Sequence, residues 1–137
     1  MDNLLNIATH AGCFKTLLIA LETANLLELL QSPGAYTIFA PSDEAFAKIS
    51  STTINAWIAD IPTINKIVRY HIISGNFRTE NFLELSSVET IEGSSVTIDT
   101  SNGIKFNDAK VIKADIIAEN GVIHIIDKVL IPAGIVA

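Results

Sequence analysis

The sequence predicts an α+β domain whose sheet is mostly antiparallel. In the first half of the chain, apolar residues recur at the three- and four-residue spacing of helices, and from Ser87 onward the spacing changes to two. Asn-Gly pairs at Asn102 and Asn120 mark two tight hairpins in the second half. Helices followed by hairpin-linked strands are the pattern of the α+β class.

Composition and charge exclude several classes of protein. The 137 residues suffice for one core and contain no repeat or linker, so residues 1–137 are expected to form a single domain. The chain is 49% hydrophobic, but no window holds the roughly 18 uninterrupted apolar residues of a membrane span. The net charge is −6 and the basic residues are scattered, which argues against nucleic-acid binding.

The N-terminus and the single cysteine say little about compartment. MDNLLNI has no basic segment followed by an apolar one, so it is not a secretory signal, and a leader was either removed or never present. Cys13 alone excludes an intrachain disulfide. Because it begins an apolar helix, a small buried side chain is favoured over a reactive thiol.

Helices are expected before residue 31. A short helix ends near Gly12, and a break around Thr23–Asn25 precedes a leucine-rich continuation that ends at Leu30. Between these points the spacing i, i+3, i+4, i+7 gives one buried face, formed by Phe14, Leu17, Leu18 and Leu21. Residues 31–34 are expected to be a loop, since a proline disfavours helix at the residue before it.

A strand and a capped helix follow. Tyr36–Ala40 is expected to be a strand that ends at Pro41, which has no N–H to donate to a sheet. Ser42 is expected to cap the next helix, and Asp43 lies in its first turn, where the helix dipole favours negative charge.

Two apolar helical stripes surround Pro62. The first is Ile54, Trp57, Ile58 and Ile61, and the second is Ile64, Ile67, Val68 and His71. His71 therefore ends a buried helix face, with Tyr70 beside it pointing elsewhere. Residues 74–76 are expected to be a turn, and Thr79 is expected to cap one or two helical turns.

Strands account for the remaining chain, and Asn120–Pro132 is expected to be the central one. Its apolar run does not alternate, so both of its faces should be covered. His124 and Asp127 interrupt this run, and buried polar groups must find hydrogen-bond partners. We therefore interpret both as polar anchors to neighbouring strands.

Catalytic and metal-binding patterns are weak. His10, His71 and His124 lack metal-ligand spacing, and no cysteine pair accompanies them. Ser42 could form a triad with a histidine and Asp127, but no G-x-S-x-G elbow surrounds it, so the capping role is favoured. No cofactor, metal or catalytic residue is predicted.

Four stretches together resemble the fasciclin-like domain family. Tyr36–Phe46, reading YTIFAPSDEAF, resembles the first signature of the family, and Asn120–Pro132, reading NGVIHIIDKVLIP, resembles the second. Between them Tyr70-His71 matches the tyrosine–histidine motif, and residues 113–117, reading KADII, directly precede the second signature. The order and spacing suggest a single-domain, bacterial-type member.

The resemblance implies a β-wedge or sandwich of about seven strands with N-terminal and central helices packed along one side. It also implies a non-catalytic cell-adhesion module in an extracellular, cell-surface or periplasmic setting. Its partners would be cell-surface or matrix proteins or glycans, and weak self-association is a further expectation. In animal relatives two of the motifs are linked to integrin binding, and the matching residues here are Tyr70, His71, Asp115 and Ile116.

Several alternatives stay open from the residues themselves. For His71 a packing role is favoured over partner contact, and for Tyr70 the two are equal. Asp115 and Ile116 are expected at a strand start, with Asp115 exposed and Ile116 packed. Ser42, Asp43, His124 and Asp127 are assigned as structural polar anchors. A carrier or sensor of a small apolar ligand is the alternative function, since the chain is apolar and has few charges.

Overall fold

The computed structural model describes residues 3–31, 35–101, 103–107 and 109–132. Within these ranges the helices are α1 (Leu4–Ala11), α2 (Lys15–Thr23), α3 (Leu27–Gln31), α4 (Asp43–Ala47), α5 (Ser51–Ala59), α6 (Ile61–Arg69) and α7 (Thr79–Phe82). The strands are β1 (Tyr36–Pro41), β2 (Ile72–Ser74), β3 (Ser87–Glu89), β4 (Ser95–Asp99), β5 (Lys105–Phe106), β6 (Ala109–Ala118) and β7 (Gly121–Ile126). Of the loop expected at residues 31–34, Gln31 is instead the last residue of α3, and residues 32–34 lie outside the described residues, as does the hairpin residue Asn102.

The strands form one sheet in the order β2-β1-β7-β6-β5-β4-β3. β1 and β7 run parallel, and the other neighbouring pairs are antiparallel. The predicted α+β class with a mostly antiparallel sheet is therefore confirmed. Sequence patterns did not indicate β2, a three-residue edge strand that directly follows the end of α6.

β7 lies between β1 and β6, and all six of its residues are buried. Because side chains alternate across a strand, β7 contributes to two separate cores. Ile123 and Ile125 pack on the helical side with α1 to α6, whereas Ile126 packs on the opposite side with the cluster of Phe39, Phe82 and Phe106. The expectation that both faces of the central strand are covered is confirmed.

The sheet folds back over its second core. The ring centroids of Phe39 on β1 and Phe106 on β5 are 4.0 Å apart. In a flat sheet these strands, separated by β7 and β6, would lie about 14 Å apart. The sheet must therefore bend so that β3, β4 and β5 close over β1, which confirms the predicted wedge with helices on one side.

Three local predictions are wrong. Ile61 starts α6 and is 61% exposed, because Pro62 restarts the helix with a new buried face. Thr79 is the first residue of α7 rather than its cap, which is Arg78. Asp127 lies in a bend just beyond β7 and is half-buried, so it is not a residue inside the strand.

The hairpin between β6 and β7 exists, but its turn lies one residue earlier than the Asn-Gly pair indicates. Ala118 pairs with Gly121, so Glu119 and Asn120 form the turn. Asn120 is buried, accepts a hydrogen bond from the Leu4 N–H (2.9 Å) and donates one to the Leu30 carbonyl (2.8 Å). The hairpin end is thereby anchored to α1 and α3.

Candidate interaction site

His71 lies directly after α6 and is buried, with 2% of its surface exposed. Its Nδ1 is 2.8 Å from the Ile67 carbonyl oxygen, and its Nε2 is 2.8 Å from the Leu130 backbone nitrogen. A carbonyl only accepts, so Nδ1 carries the proton and Nε2 accepts from the Leu130 N–H. Burial lowers the pKa of His71 to about 4, and only the neutral ring satisfies both partners.

Tyr70 points into the second core, away from the direction of His71. The Tyr70 side chain is buried, and its hydroxyl donates to the Ser95 carbonyl (3.2 Å) and accepts from the Asn107 amide (3.1 Å). The tyrosine–histidine motif therefore fastens the end of α6 to both cores. Because both rings are buried, neither presents its ring to a partner, and a role in binding would be indirect, through the packing of the cores.

Asp115 lies within β6, not at its start, and occupies a β-bulge. Its backbone has a φ of 57°, in the left-handed region, where the pairing register of β6 with β7 shifts. The exposed Asp115 carboxylate accepts hydrogen bonds from the Thr79 N–H (2.8 Å) and hydroxyl (2.6 Å) at the start of α7. Burial alone would raise the pKa of Asp115, but the Thr79 hydrogen bonds outweigh it, and the pKa lies below its ordinary value.

His124 lies opposite this bulge on β7 and is fully buried. Its Nδ1 is 3.2 Å from the Asp115 backbone nitrogen, and its Nε2 is 2.6 Å from the Phe77 carbonyl oxygen. Phe82 packs edge-on against the ring, at 5.4 Å between centroids. Burial lowers the pKa of His124, which favours a neutral ring. Sequence patterns marked His124 as an anchor but did not indicate its link to Asp115.

Exposed side chains flank Asp115 along β6. β5 pairs with β6 only at Ala109 and Lys110. Within the described residues, the edge of β6 beyond Lys110 that faces away from β7 therefore has no neighbouring strand. Ile116 is half-buried against the helical core. Two other isoleucines of β6 are exposed, with 56% of the surface of Ile112 and 38% of that of Ile117 accessible. We call the exposed residues Ile112, Lys113, Asp115 and Ile117 the β6 patch.

The remaining polar residues assigned as anchors bond to backbone groups. Ser42 caps α4 by accepting from the Ala45 N–H (3.3 Å), and Asp43 accepts from the Thr16 N–H (3.0 Å). Asp127 accepts from the Lys110 N–H (2.7 Å), which holds the exit of β7 to the start of β6. The Ser42 bond is local to α4, whereas the Asp43 and Asp127 side chains join elements that are distant in sequence.

A groove of about 460 Å³ opens beside the patch, between the turn that follows α1 and the start of α4. Its lining includes Ile112, Ile125 and Cys13, and Asp43, Glu44 and Lys113 bring charge to it. Burial and then the Asp43 carboxylate raise the pKa of the Cys13 thiol, so the thiolate is disfavoured.

The described residues contain neither a metal-binding cluster nor a membrane-spanning helix. No group of three or more His, Cys, Asp or Glu side chains in this part of the chain is placed to hold a metal ion. None of the helices described above is both long enough and apolar enough to cross a membrane.

The folded-back sheet, the helical layer and the anchored tyrosine–histidine motif define a helix-covered β-wedge domain. The sequence profile of the Fasciclin domain matches residues 12–132. The chain therefore belongs to the Fasciclin domain family, as its signature segments indicated.

Relatives place this domain in proteins of very different length. Protein sll1735 of Synechocystis sp. is 43% identical over 96% of this chain and 98% of its own length. The transforming growth factor-beta-induced protein ig-h3 of Sus scrofa is 35% identical over 96% of this chain but only 20% of its own length. A solved FAS1 domain pair from the insect cell adhesion molecule Fasciclin I superposes with a TM-score of 0.65 at 26% identity, covering 87% of this chain and 45% of that chain.

Proposed function

We propose that the protein is a non-catalytic adhesion module that binds a protein or glycan of a cell surface or matrix through the β6 patch. The observation that carries the proposal is the patch itself. It combines an oriented carboxylate at Asp115 with exposed apolar side chains at Ile112 and Ile117. Exposed apolar groups beside a fixed charge are typical of protein interaction surfaces.

Family membership supports the class of function. The superposed structure belongs to an insect cell adhesion molecule. Such a role places the protein outside the cytoplasm, at a cell surface, in a matrix or in a periplasm. In this proposal Asp115 contacts the partner directly, Ile116 holds the strand beside it, and Tyr70 and His71 support the surface from inside.

The alternative of a carrier for a small apolar ligand has less support. Such a ligand needs a largely enclosed apolar cavity. The groove beside Cys13 instead has carboxylates at Asp43 and Glu44 and an ammonium at Lys113.

Binding of the purified protein to cultured fibroblasts and to a glycan array tests the adhesion proposal. We expect binding that Ile112→Ser weakens about fivefold, since an exposed isoleucine at an interface contributes about 1 kcal/mol. Ile19→Ser is the matched control, because Ile19 is also about half exposed but lies on α2.

A second pair of variants tests the charge in the patch. Asp115→Asn keeps the shape and tolerates the left-handed backbone. It removes the negative charge and leaves one acceptor oxygen for the Thr79 N–H, while the amide NH2 donates to the Thr79 hydroxyl. We expect it to weaken binding while Glu89→Gln, an exposed neutralisation on β3, leaves binding unchanged. Full binding by Ile112→Ser and Asp115→Asn together would refute the β6 patch as the site, and self-association measured by sedimentation would identify a second copy as the partner.

A further inference from the structure

The β-bulge in β6 is built around one side chain of β7. Lys113 pairs with Ile125 and Ile116 pairs with Ile123. Between these pairs β6 contains two residues, Ala114 and Asp115, whereas β7 contains only His124. The extra β6 residue has no backbone position opposite it, which is the defining property of a bulge.

The His124 ring supplies the partner that the opposite strand lacks. The Phe77 carbonyl can only accept, so the Nε2 atom of His124, 2.6 Å away, must donate to it. In the neutral ring Nδ1 then has a lone pair, and the Asp115 N–H donates to it at 3.2 Å. Because the ring is fully buried and contacts Phe82, its orientation is fixed from both ends.

The conformation of Asp115 needs such support. A non-glycine residue is disfavoured in the left-handed region, because its Cβ lies close to the following carbonyl oxygen. The Asp115 N–H bonded to His124 and the carboxylate bonded to Thr79 hold this conformation from two sides. The same ring donates to the Phe77 carbonyl, two residues before Thr79, and this bond orients Nδ1 toward the Asp115 N–H.

We propose that His124 is a positioning residue for the β6 patch, holding Asp115 in the bulged conformation, with the hydrogen bond to the Phe77 carbonyl fixing the orientation of the ring. The inference rests on the proposed function, since it assigns His124 a role in presenting that surface. His124 itself is buried and touches no partner. Its effect on binding passes entirely through the backbone of Asp115.

Two substitutions separate the two hydrogen bonds of the ring. His124→Asn places an acceptor near the Nδ1 position but does not reach Phe77, whereas His124→Gln places a donor near the Nε2 position but offers Asp115 no acceptor. Both variants lose one buried hydrogen bond, so we expect similar decreases in urea midpoint. His71→Gln is the matched control, a buried histidine whose hydrogen bonds go to Ile67 and Leu130 instead.

The readout that separates positioning from stability is amide hydrogen exchange at Asp115. We expect His124→Gln to accelerate exchange of this amide about tenfold or more relative to neighbouring β6 amides, while His124→Asn and His71→Gln leave it protected. We also expect His124→Gln to weaken binding to the fibroblast surface or array glycan that retains wild-type protein, by about fivefold, and His124→Asn to preserve it.

Equal exchange of the Asp115 amide in the Asn and Gln variants would overturn the proposal, as would binding that follows the urea midpoint in all three variants. Failure of the proposed function gives a different result. In that case wild-type protein binds neither probe, or Asp115→Asn binds normally, while exchange at Asp115 still reports whether His124 positions it.

Discussion

At the residue scale, His71 and His124 have the same hydrogen-bonding arrangement. In each ring one nitrogen donates to a backbone carbonyl and the other accepts from a backbone N–H. An imidazolium has two donors and no acceptor. Protonation of either ring would therefore place a ring N–H against the backbone N–H that now donates to it. Both pKa values are accordingly lowered, with burial as the main cause.

Replacement of His71 by alanine should destabilise the fold. The substitution leaves the Leu130 N–H without its acceptor and opens a cavity where α6 ends, so we expect the free energy of unfolding to fall by about 3 kcal/mol. Urea denaturation followed by circular dichroism measures the change. His10→Ala, at an exposed residue of α1, is the control and should be neutral. An unchanged urea midpoint for His71→Ala together with weakened adhesion would instead assign His71 to partner contact.

Stability should also fall in mildly acidic solution. The folded pKa of His71 is about 4, below the ordinary value of 6.5, so the unfolded chain binds this proton first as pH falls. The stabilisation is complete above pH 6.5 and is lost progressively down to pH 4. From pH 7 to pH 5 we expect a decrease of about 2 kcal/mol in the free energy of unfolding from this group.

The measurement for that pH dependence is urea denaturation at half-unit intervals from pH 7 to pH 4.5. His71→Gln should show a flatter dependence than wild type. The remaining slope is assigned to His124, whose pKa is also lowered, and, toward pH 4.5, to the lowered pKa values of Asp115 and Asp99. Parallel curves for the two proteins would contradict the assignment to His71.

At the element scale, the β6–β7 hairpin is held by both residues of its Asn-Gly pair, although only Asn120 lies in the turn. Asn120 reaches α1 and α3 with its side-chain amide, and its carbonyl accepts from the Tyr36 N–H (3.1 Å). Gly121 is the first residue of β7, and a Cβ there would lie against the Tyr36 carbonyl oxygen. Glycine is required by close approach of β1, not by a left-handed backbone.

Gly121→Ala should therefore be severely destabilising. The added methyl meets the backbone of β1, which cannot move without breaking the parallel β1–β7 pairing, so we expect a loss of about 3 kcal/mol or more, or no folded protein. Gly93→Ala is the control: its φ is 108° but its Cβ position is open, so it should cost only about 1 kcal/mol. Thermal unfolding compares them, and equal melting temperatures would show that β1 does not approach β7 so closely.

Local sequence signals predicted the elements that local physics decides. The stripe of Phe14, Leu17 and Leu21 gave α2, and the preference of serine for helix N-termini gave the cap at Ser42. Thr79 was misassigned because its hydroxyl bonds to Asp115, which is 36 residues away. The bulge at Asp115 could not be predicted either, since its partner is a side chain on another strand.

At the scale of the whole molecule, the two cores depend on long-range pairings. Sequence patterns identified Asn120–Pro132 as the central strand, because an apolar run without alternation must be packed on both faces. They did not show that β1 is its parallel neighbour, or that Phe39 would stack on Phe106 across a folded sheet. Those facts arise from which distant surfaces fit together. The family resemblance predicted the wedge, which the spacing of apolar residues alone could not predict.

The place of β7 in the sheet has a consequence for biosynthesis. It is the third of the seven strands across the sheet but the last of them in chain order, so until residue 121 leaves the ribosome the sheet exists only as two separate parts, β2-β1 and β6-β5-β4-β3. Ile38 and Phe39 on β1 would then lack their neighbouring strand β7 while the intervening chain is translated. A nascent chain of this kind exposes apolar strand edges until β7 has been synthesised, which makes it a substrate for chaperones.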